Sequence, residues 1–194
     1  MTIVILTGPP GCGKGTQAEI LAGRLGVPVI STGDTFRAQV AAGTELGRRA
    51  QGYLDAGEYV PDEVTNAMVL DRLTADDTRP GFLLDGYPRT LEQVAVLDDF
   101  LQKHHRHLDA VVALEVPPDE LVQRLLHRAQ LEHRSDDTED VIRRRLEVFD
   151  QYTRPLIKEY AARGRLIPVD GTGELAEVTN RILTVADSLL YPHA

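Results

Sequence analysis

Thr2-Ile3-Val4-Ile5-Leu6-Thr7-Gly8-Pro9-Pro10-Gly11-Cys12-Gly13-Lys14-Gly15-Thr16-Gln17 is the stretch on which the fold turns. An apolar run of strand length leads directly into a loop with three glycines before Lys14. Glycine lets the backbone turn tightly and bring its N–H groups onto an anion. Lys14 adds a point charge suited to the outer phosphates of a nucleotide. Residues 18–25, Ala-Glu-Ile-Leu-Ala-Gly-Arg-Leu, then read as a helix whose positive end faces the same anion. Strand, glycine loop, lysine and helix together make a phosphate-binding loop. Cys12 reads as a small loop residue lending its backbone N–H, because a lone cysteine has no sequence-adjacent histidine. One detail departs from the common pattern: Gly15 stands directly after the lysine, where Ser or Thr is usual, and Thr16 follows.

Beyond the loop, strand-length apolar runs at 2–6, 28–30, 81–84, 110–115 and 165–169 alternate with helical periodicity. The predicted helices cover 14–25, 35–42, 45–56, 63–73, 91–103, 119–129, 138–163 and 175–190. This alternation predicts an α/β fold: a central parallel sheet of about five strands with helices on both faces. The run Ala110-Val111-Val112-Ala113-Leu114 has no polar alternation, as expected of a strand buried on both sides. Ligands of such sheets bind at the carboxyl ends of the strands, where the glycine loop lies. A single domain over residues 1–194 is expected. Two segments interrupt the alternation: 31–60, with two helices and no strand, and the polar stretch 127–137. Both are candidate moving parts, with plain surface connection as the competing reading.

Composition narrows the function. The net charge of −9 argues against nonspecific nucleic-acid binding, which needs a basic surface. No run of 18 apolar residues is present, so no membrane span is expected. The chain enters a strand at once without a basic leader, and its single cysteine fits a reducing compartment; a cytoplasmic location is expected. Of the 21 basic residues only Lys14, Lys103 and Lys158 are lysine. Arginine's planar fork suits phosphate. A general compositional lean towards arginine is the competing account, so position must decide which arginines matter. His104, His105 and His107 read as basic residues at a helix C-terminus rather than as metal ligands.

Further motifs resemble one family in order and spacing, the adenylate kinases among the nucleoside monophosphate kinases. They run from Ile3 to about Gly173. The loop form Gly-x-x-Gly-x-Gly-Lys-Gly-Thr is the one that family uses, so Gly15 is expected there. Ser31-Thr32-Gly33-Asp34-x-x-Arg37 resembles its monophosphate-site helix start. Asp85-Gly86-Tyr87-Pro88-Arg89, followed by Gln93, resembles its second site motif. Arg124, Arg128, Arg134 and the triplet 143–145 match its arginines around the transferring phosphate, and 170–173 resembles its final nucleotide loop.

The resemblance implies a P-loop kinase that transfers the terminal phosphoryl group of MgATP to AMP, giving two ADP. Gly11, Cys12, Gly13, Lys14, Gly15, Thr16, Arg124, Arg128 and Gly173 would line the ATP side. Thr32, Arg37, Glu58, Tyr59, Val60, Gly86, Tyr87, Pro88, Arg89 and Gln93 would line the AMP side. Arg134 and Arg145 would converge on the transferring group, with Arg143 and Arg144 solvated or salt-bridged. Lys14, Arg89, Arg124, Arg134 and Arg145 are the expected catalytic set. Joining two nucleotides brings like charges together, each unit pair repelling by ~4 kcal/mol at about 4 Å and a dielectric near 20. One lysine cannot offset that.

Asp85 ends a buried strand beside the glycine loop, which suits magnesium held through its water shell; a cap on the following turn is the competing reading. A Gln amide offers both donor and acceptor, matching the adenine N6/N7 edge. Pyrimidine-nucleotide relatives commonly have Ala for Thr32 and Asn for Gln93, so AMP is favoured over UMP or CMP. An exposed helix position is the competing reading of Gln93. Residues 127–137 resemble the family's short lid, with neither the length nor the cysteines for a zinc-bearing insert. Asp136 and Asp137 would meet arginines on lid closure or cap the next helix. The family expectation is a monomer. A UMP/CMP kinase of the same fold and a non-catalytic nucleotide-binding module remain the alternatives.

Overall fold

Strand β1 (Thr2–Thr7) sits at the centre of a five-stranded sheet, between β3 (Gly81–Asp85) and β4 (Ala110–Glu115). The outer strands are β2 (Val29–Ser31) beside β3 and β5 (Leu166–Asp170) beside β4, and every pairing is parallel. The computed structural model describes residues 1–132 and 138–191, with backbone alone over 128–132. The α/β architecture expected from the alternation is therefore the one observed.

Side-chain period two splits β1 between two cores. Ile3 and Ile5 face one layer, formed by α4 (Asp62–Leu73), α5 (Leu91–Lys103) and α8 (Arg154–Ala162). Val4 and Leu6 face the other, formed by α1 (Lys14–Leu25) and α9 (Leu175–Leu190). Phe82 and Leu84 against Leu83, and Val111 against Val112, repeat the division. A third, smaller cluster of Phe36, Ala50 and Val60 joins α2 (Thr32–Ala41) to α3 (Glu45–Asp55), so 31–60 is a helical excursion with its own apolar centre. Pro168 falls in β5, an edge strand, where a missing N–H is tolerated.

Most boundaries fall within one residue of expectation, and three elements depart further. Helix α2 begins at Thr32 rather than 35, because the Ser31 side chain accepts from Asp34 N (3.3 Å) and caps the helix earlier. Helix α6 (Pro118–Glu132) runs three residues past 129, so residues 127–132 of the expected lid are helical backbone. The single helix expected over 138–163 is instead α7 (Glu139–Val148), a π turn over Phe149–Thr153, and α8. Pro155, in the first turn of α8, has no N–H to give to Gln151 and disrupts the regular ladder there.

Gly81 shows how closely the sheet's entry is built. Its φ is +133°, and a Cβ there would stand 2.0 Å from the Thr2 carbonyl oxygen. Gly81→Ala is expected to lower stability by about 2 kcal/mol or more, combining backbone strain with overpacking, measured by urea denaturation.

Candidate active site

The strand order places a crevice at the carboxyl end of β1. The chain leaves β1 towards β2 and β3 on one side and returns to β4 on the other, so the connections diverge there. Leu6, Asp85 and Ser31 stand in one row across β1, β3 and β2 at that edge. One continuous cleft of ≈ 520 Å³ opens above it, lined from the glycine loop through Thr32 and Arg37 to Arg89, Gln93, Arg124 and Arg145.

At one end, Gly13 (φ +93°) takes the left-handed conformation that caps α1. No acidic residue occupies the helix's first turn, so its positive end is uncompensated there. Lys14 Nζ donates to the carbonyls of Gly8 (2.6 Å) and Pro9 (3.0 Å), bridging its own loop. Gly11, Gly15 and Thr16 line the cleft. The Cys12 N–H donates to Pro9 O (3.2 Å), and its side chain is buried in the α1/α9 core. Arg124 donates to Glu120 and to Gly171 O (3.0 Å), tying α6 to the loop after β5. Arg181 of α9 holds the same loop through the carbonyls of Asp170 and Thr172. Gly173 adopts φ +92° beside Glu177 and lies outside the cleft lining.

At the other end, Thr32 Oγ1 donates to Gly86 O (2.9 Å), joining the two sequence motifs. A Cβ on Gly86 would meet both Thr32 Oγ1 and the Arg89 guanidinium. The Tyr87–Pro88 peptide is cis. Arg89 lies over the Tyr59 ring, 4.9 Å from its centroid, a cation–π contact between two residues that line the cleft. Tyr59 OH meets Thr153 Oγ1 (2.8 Å), and Thr153 in turn donates to Arg89 O (3.0 Å). Burial raises the Tyr59 phenol above its ordinary range, and the Arg89 charge partly offsets this. Gln93 is 2% exposed, which removes the reading of an exposed helix residue. Glu58, Tyr59 and Val60 line this end, with the Glu58 carboxylate accepting from Arg144 Nε (2.6 Å). Arg37 pairs with Asp34 at the cleft wall. Of the arginine triplet, Arg143 pairs with Glu139, Arg144 with Glu58 and Glu147, and Arg145 lines the cleft. Arg134, Asp136, Asp137 and the Arg128 side chain lie outside the described residues.

The family model for adenylate kinase matches residues 6–165. The chain belongs to the adenylate kinase family. It is 53% identical over 185 residues to the adenylate kinase of Thermobifida fusca, covering 95% of this chain and 98% of that one. It is 55% identical over 187 residues to that of Kocuria rhizophila, covering 96% and 100%. It is 56% identical over 184 residues to that of a Nocardioides species, covering 95% and 96%. The adenylate kinase fold thus carries a cleft whose two ends were both visible as sequence motifs. Thr153, which holds Tyr59 and the Arg89 carbonyl, Phe149, which lines the cleft, and Arg181, which holds the loop after β5, were not. Pro155 was the one available signal for Thr153, since a proline within a predicted helix marks irregular backbone.

Asp85 is 8% exposed at the carboxyl end of β3. Burial pushes its carboxyl above the ordinary aspartate range, against the opposing charges of Lys14 and Arg89. Its folded form therefore holds a proton more tightly than its unfolded form. The cost of burying the charge is complete above the folded pKa and fades as pH falls towards the ordinary value of 3.8. Asp85→Asn is expected to raise the unfolding midpoint of the ligand-free protein at pH 7. That gain should shrink towards pH 4 in thermal denaturation across pH.

Proposed function

We propose that this member of the family transfers the terminal phosphoryl group of MgATP to AMP, reversibly, giving two ADP, and so serves adenine nucleotide homeostasis. One observation carries the reading: a single cleft joins a phosphate-binding loop to a second cationic pocket with a buried amide at its base. The ATP phosphates lie on residues 8–16, with Lys14 exchanging the Gly8 and Pro9 carbonyls for phosphate oxygens. AMP lies between Thr32, Arg37, Arg89 and Gln93, with residues 58–60 along its base. An oxygen of the AMP phosphate attacks the terminal phosphorus of ATP, and the bond from that phosphorus to the bridging oxygen breaks. The nucleophile is already anionic, so no general base is required. Arg89, Arg124 and Arg145 supply positive charge along the path of transfer, where positioning and electrostatics do most of the catalysis. Arg134 and Arg128 are proposed to join them from the segment 127–137.

Magnesium fits this arrangement. Asp85 is a buried carboxylate on the cleft wall. Among the described residues no cluster of three or more His, Cys, Asp or Glu forms a protein cage. A single carboxylate reached through water suits an ion that dehydrates reluctantly and travels with its nucleotide. When bound, the ion offsets the charge of the triphosphate oxygens.

We further propose one domain over 1–194, with 31–60 and 127–137 moving to exclude water during transfer, and a cytoplasmic monomer as its working form. Among the described residues no helix is long and apolar enough to cross a membrane.

The experiment is ADP formation from ATP with and without AMP. Two ADP per turnover and little ATP hydrolysis without AMP are expected, and equal turnover with UMP or CMP would defeat the base assignment. Lys14→Met and Arg89→Ala are each expected to lower kcat/KM by roughly 10²–10³ or more. Arg144→Ala, which removes a half-exposed ion pair, should change it less than about threefold.

A further inference from the structure

Gln93 does not stand alone in its pocket. Its Nε2 donates to Asp62 Oδ1 (2.6 Å), and its Oε1 accepts from Arg89 N (2.7 Å). The second oxygen of Asp62 accepts from Thr90 Oγ1 (2.6 Å), and Thr90 Oγ1 in turn accepts from Gln93 N (3.1 Å). These bonds form a closed ring on α5 and the first residue of α4.

The ring admits one orientation of the Gln93 amide. An ionised carboxylate only accepts, so it must face the amide nitrogen, and a backbone N–H only donates, so it must face the amide oxygen. Turning the amide over would set oxygen against carboxylate and N–H against N–H. Asp62 itself is held in place by Thr90 and sits in the first turn of α4, where negative charge is favoured. Each end of the amide has one further hydrogen-bonding position: a second N–H on Nε2 and a second lone pair on Oε1. Among the described residues no protein group uses either, and Gln93 lines the cleft.

We infer that Asp62 is the positioning residue that sets purine selectivity, by fixing which end of the Gln93 amide meets the exocyclic group of the base. The inference rests on reading this pocket as the acceptor-nucleotide site. Adenine presents a ring-nitrogen acceptor beside an exocyclic N6 donor. Hypoxanthine keeps the same ring outline but replaces that donor with an O6 acceptor. A locked Oε1 accepts from N6 and repels O6. A Gln93 free to turn regains a bond to O6 and loses the distinction. Asp62 touches no substrate in this scheme and acts through Gln93.

The test compares kcat/KM for AMP and for IMP, with ATP as donor, in the wild-type chain and in Asp62→Asn. The substitution keeps the shape but gives position 62 a donor as well as an acceptor, so only the Arg89 N–H still favours the native orientation and the turned amide becomes accessible. The wild type should prefer AMP by at least ~10², as sites built around a particular donor do. Asp62→Asn should narrow that ratio at least tenfold, with loss on AMP and gain on IMP. A purely structural role would lower both substrates together and leave the ratio unchanged, and that result would overturn the inference. If Asp62→Asn does not fold, Asp62→Ser, also a good residue near a helix start, carries the same comparison. A wild-type chain that uses neither AMP nor IMP would instead overturn the proposed function. A wild type that prefers AMP, with an unchanged ratio in the variant, would overturn the role of Asp62 alone.

Discussion

Parallel pairing of β1 with both β3 and β4 is the constraint on which the site depends. It forces the loops that follow all three strands to the same edge. Because the chain departs from β1 in one direction and returns on the other side, those loops diverge and leave a crevice instead of a packed seam. The glycine loop, Asp85 and the turn to Arg89 occupy that edge because of hydrogen bonds far beneath it. The two apolar layers then hold the strands still. Each residue of β1 from Ile3 to Leu6 is at most 1% exposed, so the platform under the loop has no freedom to settle.

On that platform the cations are held by the protein's own acceptors. Lys14 rests on two carbonyls, Arg124 on Glu120 and Gly171, Arg89 on the Tyr59 ring. Arg89 and Arg124 are thereby oriented before any nucleotide arrives, which limits the ordering cost of binding and of transfer, whereas Lys14 must trade its carbonyls for phosphate. The same economy explains why polar side chains of the acceptor end are so often paired with one another. Thr32 with Gly86, Tyr59 with Thr153 and Gln93 with Asp62 each turn a flexible group into a fixed one.

The sheet, its parallel sense and the glycine loop were legible in the sequence because they depend on local pattern. Strand-length apolar runs and a strand–glycine–lysine–helix order need no tertiary knowledge to recognise. The cleft residues that match family motifs were legible for the same reason. What was not legible depends on partners distant in the chain. Asp62 lies 31 residues from Gln93, and at a helix start an aspartate carries its own sufficient explanation. Thr153 lies 64 residues from the Arg89 carbonyl it bonds, inside what periodicity described as plain helix.

The π turn over Phe149–Thr153 has a consequence for length as well as for shape. A regular helix advances about 100° per residue, so one wide turn shifts the phase of everything after it. Before the turn, Arg145 addresses the cleft; after it, Leu156 and Tyr160 enter the core beneath the sheet. The two faces come into register only through the wider coil between them. Substitutions along this segment act on one face or the other. Loss of a single residue from it would rotate one face by about 100° out of alignment with the other, so the geometry constrains the segment's count more tightly than its letters.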